Sequence, residues 1–146
     1  MSSALPLATV HEIRDACLCM ATQRAARRLA RRFDRAFQPV GLSNGQFSLL
    51  MALNAPGRPK LGELATFLAM DRTTLTAALK ALERRGLVAV TRDERDRRAR
   101  RMALTQAGHE ALQAAIPVWR AEHAALERDL THAGADRLRA ALREVA

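Results

Sequence analysis

Asp71-Arg-Thr-Thr-Leu-Thr-Ala-Ala-Leu-Lys-Ala-Leu-Glu-Arg-Arg-Gly86, then Leu87-Val-Ala-Val-Thr91 and the charged run Arg92-Asp-Glu-Arg-Asp-Arg-Arg-Ala-Arg-Arg101, is the stretch on which the fold turns. Asp71 is a good helix N-cap, Leu75, Leu79 and Leu82 recur at helical spacing, and Gly86 supplies a C-terminal stop. A helix over Arg72 to Arg85 is expected. Just before it, Leu61, Leu64, Ala65 and Leu68 fall at i, i+3, i+4 and i+7, the apolar stripe of a short helix. Two helices separated by a tight turn make a helix-turn-helix. After it, residues 87–91 and 101–105 are short β-prone runs flanking nine mostly charged residues, which reads as a hairpin with a charged tip.

On a helical wheel the three leucines of residues 72–85 gather on one side. Thr73, Ala77, Lys80 and Arg84 lie opposite, Thr76 sits at the edge, and Arg72 and Thr74 flank the entry. Alone, such a face is equally a solvated helix surface. A wing directly behind it favours nucleic acid. A recognition helix must enter a major groove about 12 Å wide and offer short polar groups or methyls to base edges. Thr73 and Thr76 suit base contacts and Ala77 suits a thymine methyl, while Lys80 and Arg84 lie further along, where phosphate is the natural partner. The hairpin carries six arginines and three acids. A guanidinium at its tip fits a narrow minor groove, and an aspartate at its base can hold a neighbouring arginine through two bonds.

Working outward, Ser43-Asn-Gly-Gln46 is a capping-box pattern opening a buried helix with Phe47, Leu49, Leu50, Met51 and Leu53. Asn54-Ala-Pro-Gly-Arg-Pro59 ends it in a loop. Residues 9–40 read as one long helix with Ala26, Leu29, Ala30, Phe33 and Phe37 on one side and Arg24, Arg28, Arg31 and Arg35 on the other. Towards the C-terminus, Leu112, Ile116, Trp119, His123, Leu126 and Leu130 follow the a/d spacing of a packing seam, with Pro117 expected to kink it. Packing is the expected role of Trp119 and His123. A last short helix presents Leu138, Leu142 and Val145. The fold class is therefore mainly α with a small β-hairpin wing (α+β): a single domain over 1–146, with a winged helix-turn-helix over 43–105. Segments 9–40 and 107–146 carry more apolar surface than so small a core needs, and a two-fold homodimer is the economical use of it. Such a dimer spaces two recognition helices about one DNA turn, roughly 34 Å, apart.

The composition narrows the function. The 146 residues are 49% hydrophobic and 27% charged, those of a folded chain, and the net charge is +9 with a sequence pI near 11.4. Residues 1–60 carry 9 basic and 3 acidic residues, residues 61–104 carry 10 and 6, and residues 105–146 carry 5 and 6. A polyanion is the expected partner of the first two segments. Only five aromatic residues occur, too few for the stacking platforms of an RNA-binding module. His11, His109, His123 and His132 have no metal-ligand spacing, and neither a phosphate-cradling glycine loop nor a nucleophile elbow is present. Neither an enzyme, a cofactor nor a metal site is expected. No apolar run is long enough to cross a bilayer and the N-terminus lacks the order of a secretory signal, so no membrane partner and a cytoplasmic, nucleoid-associated protein are expected.

Leu61-Gly-Glu-Leu-Ala65, Asp71-Arg-Thr-Thr-Leu-Thr76, Leu82-Glu-Arg-Arg-Gly-Leu-Val88, Asp93-Glu-Arg-Asp-Arg-Arg98 and Leu104-Thr-Gln-Ala-Gly108 resemble the MarR (multiple antibiotic resistance regulator) family, from about Gly41 to Gly108, with helical flanks on both sides. The resemblance implies a winged-helix homodimer on a pseudo-palindromic double-stranded DNA operator, usually a repressor, released by a small effector or an oxidant. It places the recognition face on Thr73, Thr74, Thr76 and Lys80, and the wing-tip arginine on Arg98 with Asp96 as its brace. The family's effector is often an aromatic carboxylate or another phenolic compound. Arg24, Arg27, Arg28, Arg31 and Arg32 on the first long helix are all candidates to meet a carboxylate, and none stands out as a ligand residue.

Cys17 and Cys19, the only cysteines, lie about 200° apart if residues 9–40 form one helix, which keeps them from pairing or sharing a metal. Counting back from Gln46-Phe47, Cys19 falls where organic-hydroperoxide-sensing family members carry their reactive cysteine. The tyrosines of those members fall on Phe33 and Asn44 here. A thiol-based repressor using Cys19, with Cys17 as a possible second thiol, is thus the alternative to a ligand-released one. A nonspecific architectural DNA-binding protein is a further alternative, distinguished by whether one operator outcompetes random DNA at fixed salt.

Overall fold

The computed structural model describes residues 4–146. Its elements are α1 (Leu7–Ala16), α2 (Leu18–Phe37), a 3-10 turn (Gln38–Val40), α3 (Asn44–Leu53), α4 (Leu61–Leu68), α5 (Arg72–Arg84), β1 (Val88–Arg92), β2 (Arg100–Leu104), α6 (Gln106–Asp129) and α7 (Ala135–Val145). The mainly helical class with a two-stranded antiparallel wing is as expected from the sequence. No helix of the described residues is long and apolar enough to cross a membrane.

The local capping signals act as their chemistry dictates. Ser43 Oγ accepts the Gln46 N–H at 3.1 Å while Gln46 Oε1 accepts the Ser43 N–H at 3.0 Å, closing both halves of the box. Asp71 Oδ1 accepts the Thr74 N–H at 2.8 Å and starts α5. The hairpin pairs Val88 with Leu104, Val90 with Met102 and Arg92 with Arg100. Both outer ends of the expected strands are claimed by helices. The Leu87 N–H donates to the Leu82 carbonyl at 3.0 Å, and Thr105 caps α6 by accepting the Gly108 N–H at 3.1 Å. Lys60 adds an isolated antiparallel bridge to Arg101, a short third edge that the sequence did not suggest.

The expected single helix over residues 9–40 is instead two helices and a 3-10 turn. Cys17 takes an extended conformation (φ −74°, ψ 106°), its N–H closing α1 on the Ile13 carbonyl at 3.0 Å and its Sγ accepting the Met20 N–H at 3.4 Å as the N-cap of α2. A thiol in the capping role restarts the helix where neither glycine nor proline marks a break. Pro117 does not interrupt α6, which runs on to Asp129.

The core joins Phe33 and Phe37 of α2, Phe47 and Leu50 of α3, Leu64 of α4, Leu75, Leu79 and Leu82 of α5, Val88 and Met102 of the wing, and Leu112 and Ala115 of α6. Phe37 stacks on Phe47 with centroids 4.6 Å apart. Leu50, Leu75 and Leu82 are fully buried, so truncation of any one to alanine costs about 2–5 kcal/mol. The first turn of α6 comes very close to the end of α5: a Cβ at Gly108 would lie 2.1 Å from the Leu87 carbonyl oxygen. Thr105 Oγ1 donates to the Gly86 carbonyl at 2.6 Å across the same junction. Arg32 ties α2 to α6 through Glu122 and through Asp129 at 2.7 Å, and His123 lies between Trp119 and Phe33 in the packing role expected of the seam. By contrast, no residue of α1 or α7 is buried.

Candidate nucleic-acid interface

The exposed side of α5 follows from its leucine stripe: with Leu75, Leu79 and Leu82 buried, the residues between them must face out. Arg72, Thr73, Thr76, Ala77 and Lys80 line one surface hollow of about 400 Å³. Arg84 is exposed at the C-terminal end of α5, outside that hollow and about 16 Å along the axis from Thr73. Three threonines sit on this helix with three different hydroxyl assignments. The Thr74 hydroxyl donates to Asp71 Oδ2 at 2.6 Å, and with the backbone N–H it holds the Asp71 carboxyl below its ordinary range. Thr74 is therefore part of the cap. The Thr76 hydroxyl donates to the Arg72 carbonyl at 2.7 Å, which leaves its methyl and lone pairs facing outward. Thr73 makes no side-chain hydrogen bond among the described residues, so its hydroxyl opens into the hollow unengaged.

Arg72 depends on a residue the sequence did not single out. Its Nη2 would lie 3.0 Å from a Cβ at Gly62, so the guanidinium rests across the start of α4, close to Gly62. Arg100 was also missed. It stands at the loop end of the strand ladder, opposite Arg92, and lines a second hollow of about 360 Å³ shared with Thr76, Lys80 and Glu83, which joins α5 to the hairpin. The register across β1 and β2 decides this position, and that register is not visible in the charged run itself.

The wing is held by one buried carboxylate. Asp93 is 6% exposed, and its Oδ1 accepts the N–H groups of Arg95 (2.7 Å) and Asp96 (3.2 Å) while Oδ2 accepts Arg101 Nε at 2.6 Å. The Arg95 N–H first, then Arg101, lower its pKa from the ordinary 3.8 to about 2. Arg101 also donates through Nη1 to the Arg58 carbonyl at 2.9 Å, fastening the wing to the loop before α4. This corrects the expected pairing of Asp96 with the Arg98 guanidinium. Asp96 Oδ1 instead accepts the Arg98 backbone N–H at 3.0 Å, a local turn that leaves the Arg98 side chain exposed at the tip. Asp93 takes the bracing role because it directly follows the last paired residue, its N–H donating to the Ala99 carbonyl at 3.1 Å beside the start of β2, whereas Asp96 lies three residues further out in the tip.

Arg85, at the C-cap of α5, reaches back to the Gly41 carbonyl (2.8 Å) and to Gln46 Oε1 (3.1 Å), so the end of the recognition helix is hydrogen-bonded to the turn between α2 and α3. Of the five arginines considered for a carboxylate, Arg32 is already engaged by two acids. The two cysteines stand apart from the core, Cys17 half-buried and Cys19 exposed, with Gln23 Nε2 donating to Cys19 Sγ at 3.2 Å. Because α1 ends at Ala16, they do not share one helix, and the angular argument against their pairing lapses. Among the described residues no group of three His, Cys, Asp or Glu side chains is arranged to hold a metal.

The sequence model of the MarR family matches residues 42–99, from the turn before α3 to the wing. The chain is 38% identical to the Mycobacterium tuberculosis transcriptional regulator MosR, in a crystal structure of that protein in complex with DNA, over 88% of this chain and 92% of MosR, with a TM-score of 0.81. It is 34% identical to the transcriptional repressor CouR, bound to a 23-mer DNA duplex, over 98% of this chain and 96% of CouR, with a TM-score of 0.71. Over 77 residues it is 40% identical to the transcriptional activatory protein BadR of Rhodopseudomonas palustris. That match covers 51% of this chain and 44% of BadR, so it spans less than half the length of that relative.

Proposed function

The chain belongs to the MarR family of DNA-binding transcriptional regulators, and from that premise we propose that it is a homodimeric repressor of a pseudo-palindromic operator, released by a small aromatic effector. The observation that carries this reading is the single hollow gathering Arg72, Thr73, Thr76, Ala77 and Lys80 on the outer face of α5, with Arg100 beside it. Short donors and a methyl surrounded by cations suit base edges framed by phosphates. Dimerisation is supported by the exposed apolar residues Val10, Ile13 and Met20 at one end and Leu138, Leu142 and Val145 at the other. Repression is supported by CouR, a repressor similar along nearly its whole length.

The test is the affinity ratio between a fragment from upstream of the chain's own gene and random DNA at fixed salt. Thr73→Ala is expected to reduce discrimination between that operator and a base-substituted copy by about 1 kcal/mol, as the loss of one base contact does. An unchanged ratio would remove Thr73 from the reading face.

A second reading rests on the helix break at Cys17. With the two thiols on either side of a helix start, an organic hydroperoxide can oxidise Cys19 to a sulfenic acid, its O–O bond breaking to leave the alcohol. Cys17 then displaces water to form the disulfide, which would disturb the N-cap that its sulfur provides for α2. Hydroperoxide-dependent operator release that disappears in both Cys19→Ser and Cys17→Ser supports this reading. Release unchanged in both variants eliminates it.

A further inference from the structure

The winged half carries an apolar groove on its outer side that neither the DNA-facing residues nor the terminal helices use. It lies between α3 and α4, has a volume of about 490 Å³, and is walled by Phe47, Met51, Leu64, Phe67 and Leu68. That volume is within the range of small-molecule sites. Two of its walls stand open to water, with Phe67 76% and Met51 42% exposed, although residues of this kind are ordinarily buried.

The charge of the lining decides what fits. None of the 24 lysines and arginines of the chain lines the groove, and its only charged residue is Glu63. One Glu63 oxygen is occupied by the Lys60 N–H at 2.8 Å, which leaves the other to accept a hydrogen bond. Ser48 adds one hydroxyl. A carboxylate entering here would lose its water, find no cation, and sit beside another carboxylate. The phenyl rings and the Met51 thioether favour an aromatic guest, through ring-ring and sulfur-ring contacts.

We propose that the α3–α4 groove is a binding site for an uncharged aromatic molecule carrying a hydrogen-bond donor, such as a phenol or an arylamine. This deepens the effector reading above by giving it a place and a charge, and its link to DNA release rests on that reading. The link is mechanical. The same α4 carries Gly62, across which the Arg72 guanidinium lies, so a guest that displaces α4 moves Arg72 on the recognition face.

The test uses N-phenyl-1-naphthylamine, an uncharged fluorescent aromatic with one N–H, beside its anionic congener 8-anilinonaphthalene-1-sulfonate, on the full chain. Phe67→Ala removes a wall and Ala55→Trp fills the groove, and both alter exposed positions away from the recognition face. The uncharged dye is expected to bind saturably at one per protomer, and each variant to weaken it at least about tenfold, the effect of losing one aromatic contact and its buried area. The sulfonate is expected to seek basic surface, such as the hollow lined by Arg14, Arg24 and Arg28, and to be indifferent to both variants. Uncharged dye binding that is unsaturable or unchanged in both variants overturns the proposal. Groove-dependent binding of the sulfonate overturns the charge argument, and a change of oligomeric state in Phe67→Ala shows that a second copy of the chain occupies the groove instead. Because the dye signal is read without DNA, loss of operator specificity and loss of the groove site are separate results.

Discussion

The winged half and the terminal segments of this molecule differ in whether they enclose a core of their own. Every buried residue among those described lies between Phe33 and Ala115, and the helix-turn-helix, wing and facing turns of α2 and α6 enclose them fully. The terminal segments leave Leu5, Leu7, Val10, Ile13, Leu18, Leu142 and Val145 exposed. The first region encloses a core of its own and leaves the α3–α4 groove open, with Phe67 and Met51 exposed there. The other is amphipathic structure with its apolar side exposed, and the charge divides similarly: Arg98 and Arg100 stand free at the wing, while Arg32 and Arg139 are spent on acids that tie α2 and α7 to α6.

The sharpest way to break the first region is at its junction with α6. Gly108→Ala would drive a methyl into the Leu87 carbonyl, and is expected to destabilise the chain by about 3 kcal/mol or more in urea unfolding. A stable variant would mean that α6 can shift there without cost. In the second region the expected damage is to association and not to the core. Leu142→Glu should weaken dimerisation about a hundredfold in sedimentation, through burial of an unpaired charge, while leaving the helical content of the protomer intact. Simultaneous unfolding would contradict the division drawn here.

Within the winged half, Asp93 and Arg98 separate bracing from contact. Asp93→Asn is expected to lower operator affinity by about 1–2 kcal/mol through a loosened wing, by loss of a charge-assisted bond. The pH dependence has a definite sign. A carboxyl whose folded pKa is depressed stabilises the wing fully above its unfolded value of 3.8 and ceases to do so as pH falls through about 2. The Asp93 carboxyl resonance should therefore titrate near pH 2, and a midpoint near 4 would remove the buried brace. Arg98→Ala is expected to cost about 1 kcal/mol of operator affinity with the protein still folded and dimeric, and an unchanged affinity at physiological salt would take the tip out of the interface. Smallest of all, Ala69 holds a left-handed conformation (φ 51°) in the turn between α4 and α5, so Ala69→Gly should stabilise the chain by up to about 1 kcal/mol. A loss of stability there would show that the alanine methyl is needed for packing.

What the sequence made legible was local. The Ser43–Gln46 box, the Asp71 cap and the leucine stripe of α5 each depend on residues within a few positions of one another, and so does the polar face that the leucines imply. The break at Cys17 escaped because a sulfur, not a glycine or proline, provides the cap. The choice of Asp93 over Asp96 escaped because it depends on which residues β2 sets beside β1, and the roles of Gly62 and Arg100 because each is defined by contact with a neighbouring element. The Thr74 hydroxyl looked available from its wheel position, yet the Asp71 carboxylate one turn earlier engages it.

The most direct test of the central claim, a self-contained reading half made bivalent by an unfinished dimer half, is sedimentation of the native protein on its upstream DNA fragment at fixed salt. Two protomers per fragment are expected, with an affinity roughly a thousandfold or more above that for random DNA. Equal affinity for both DNAs, with protein loading in proportion to length, would contradict it.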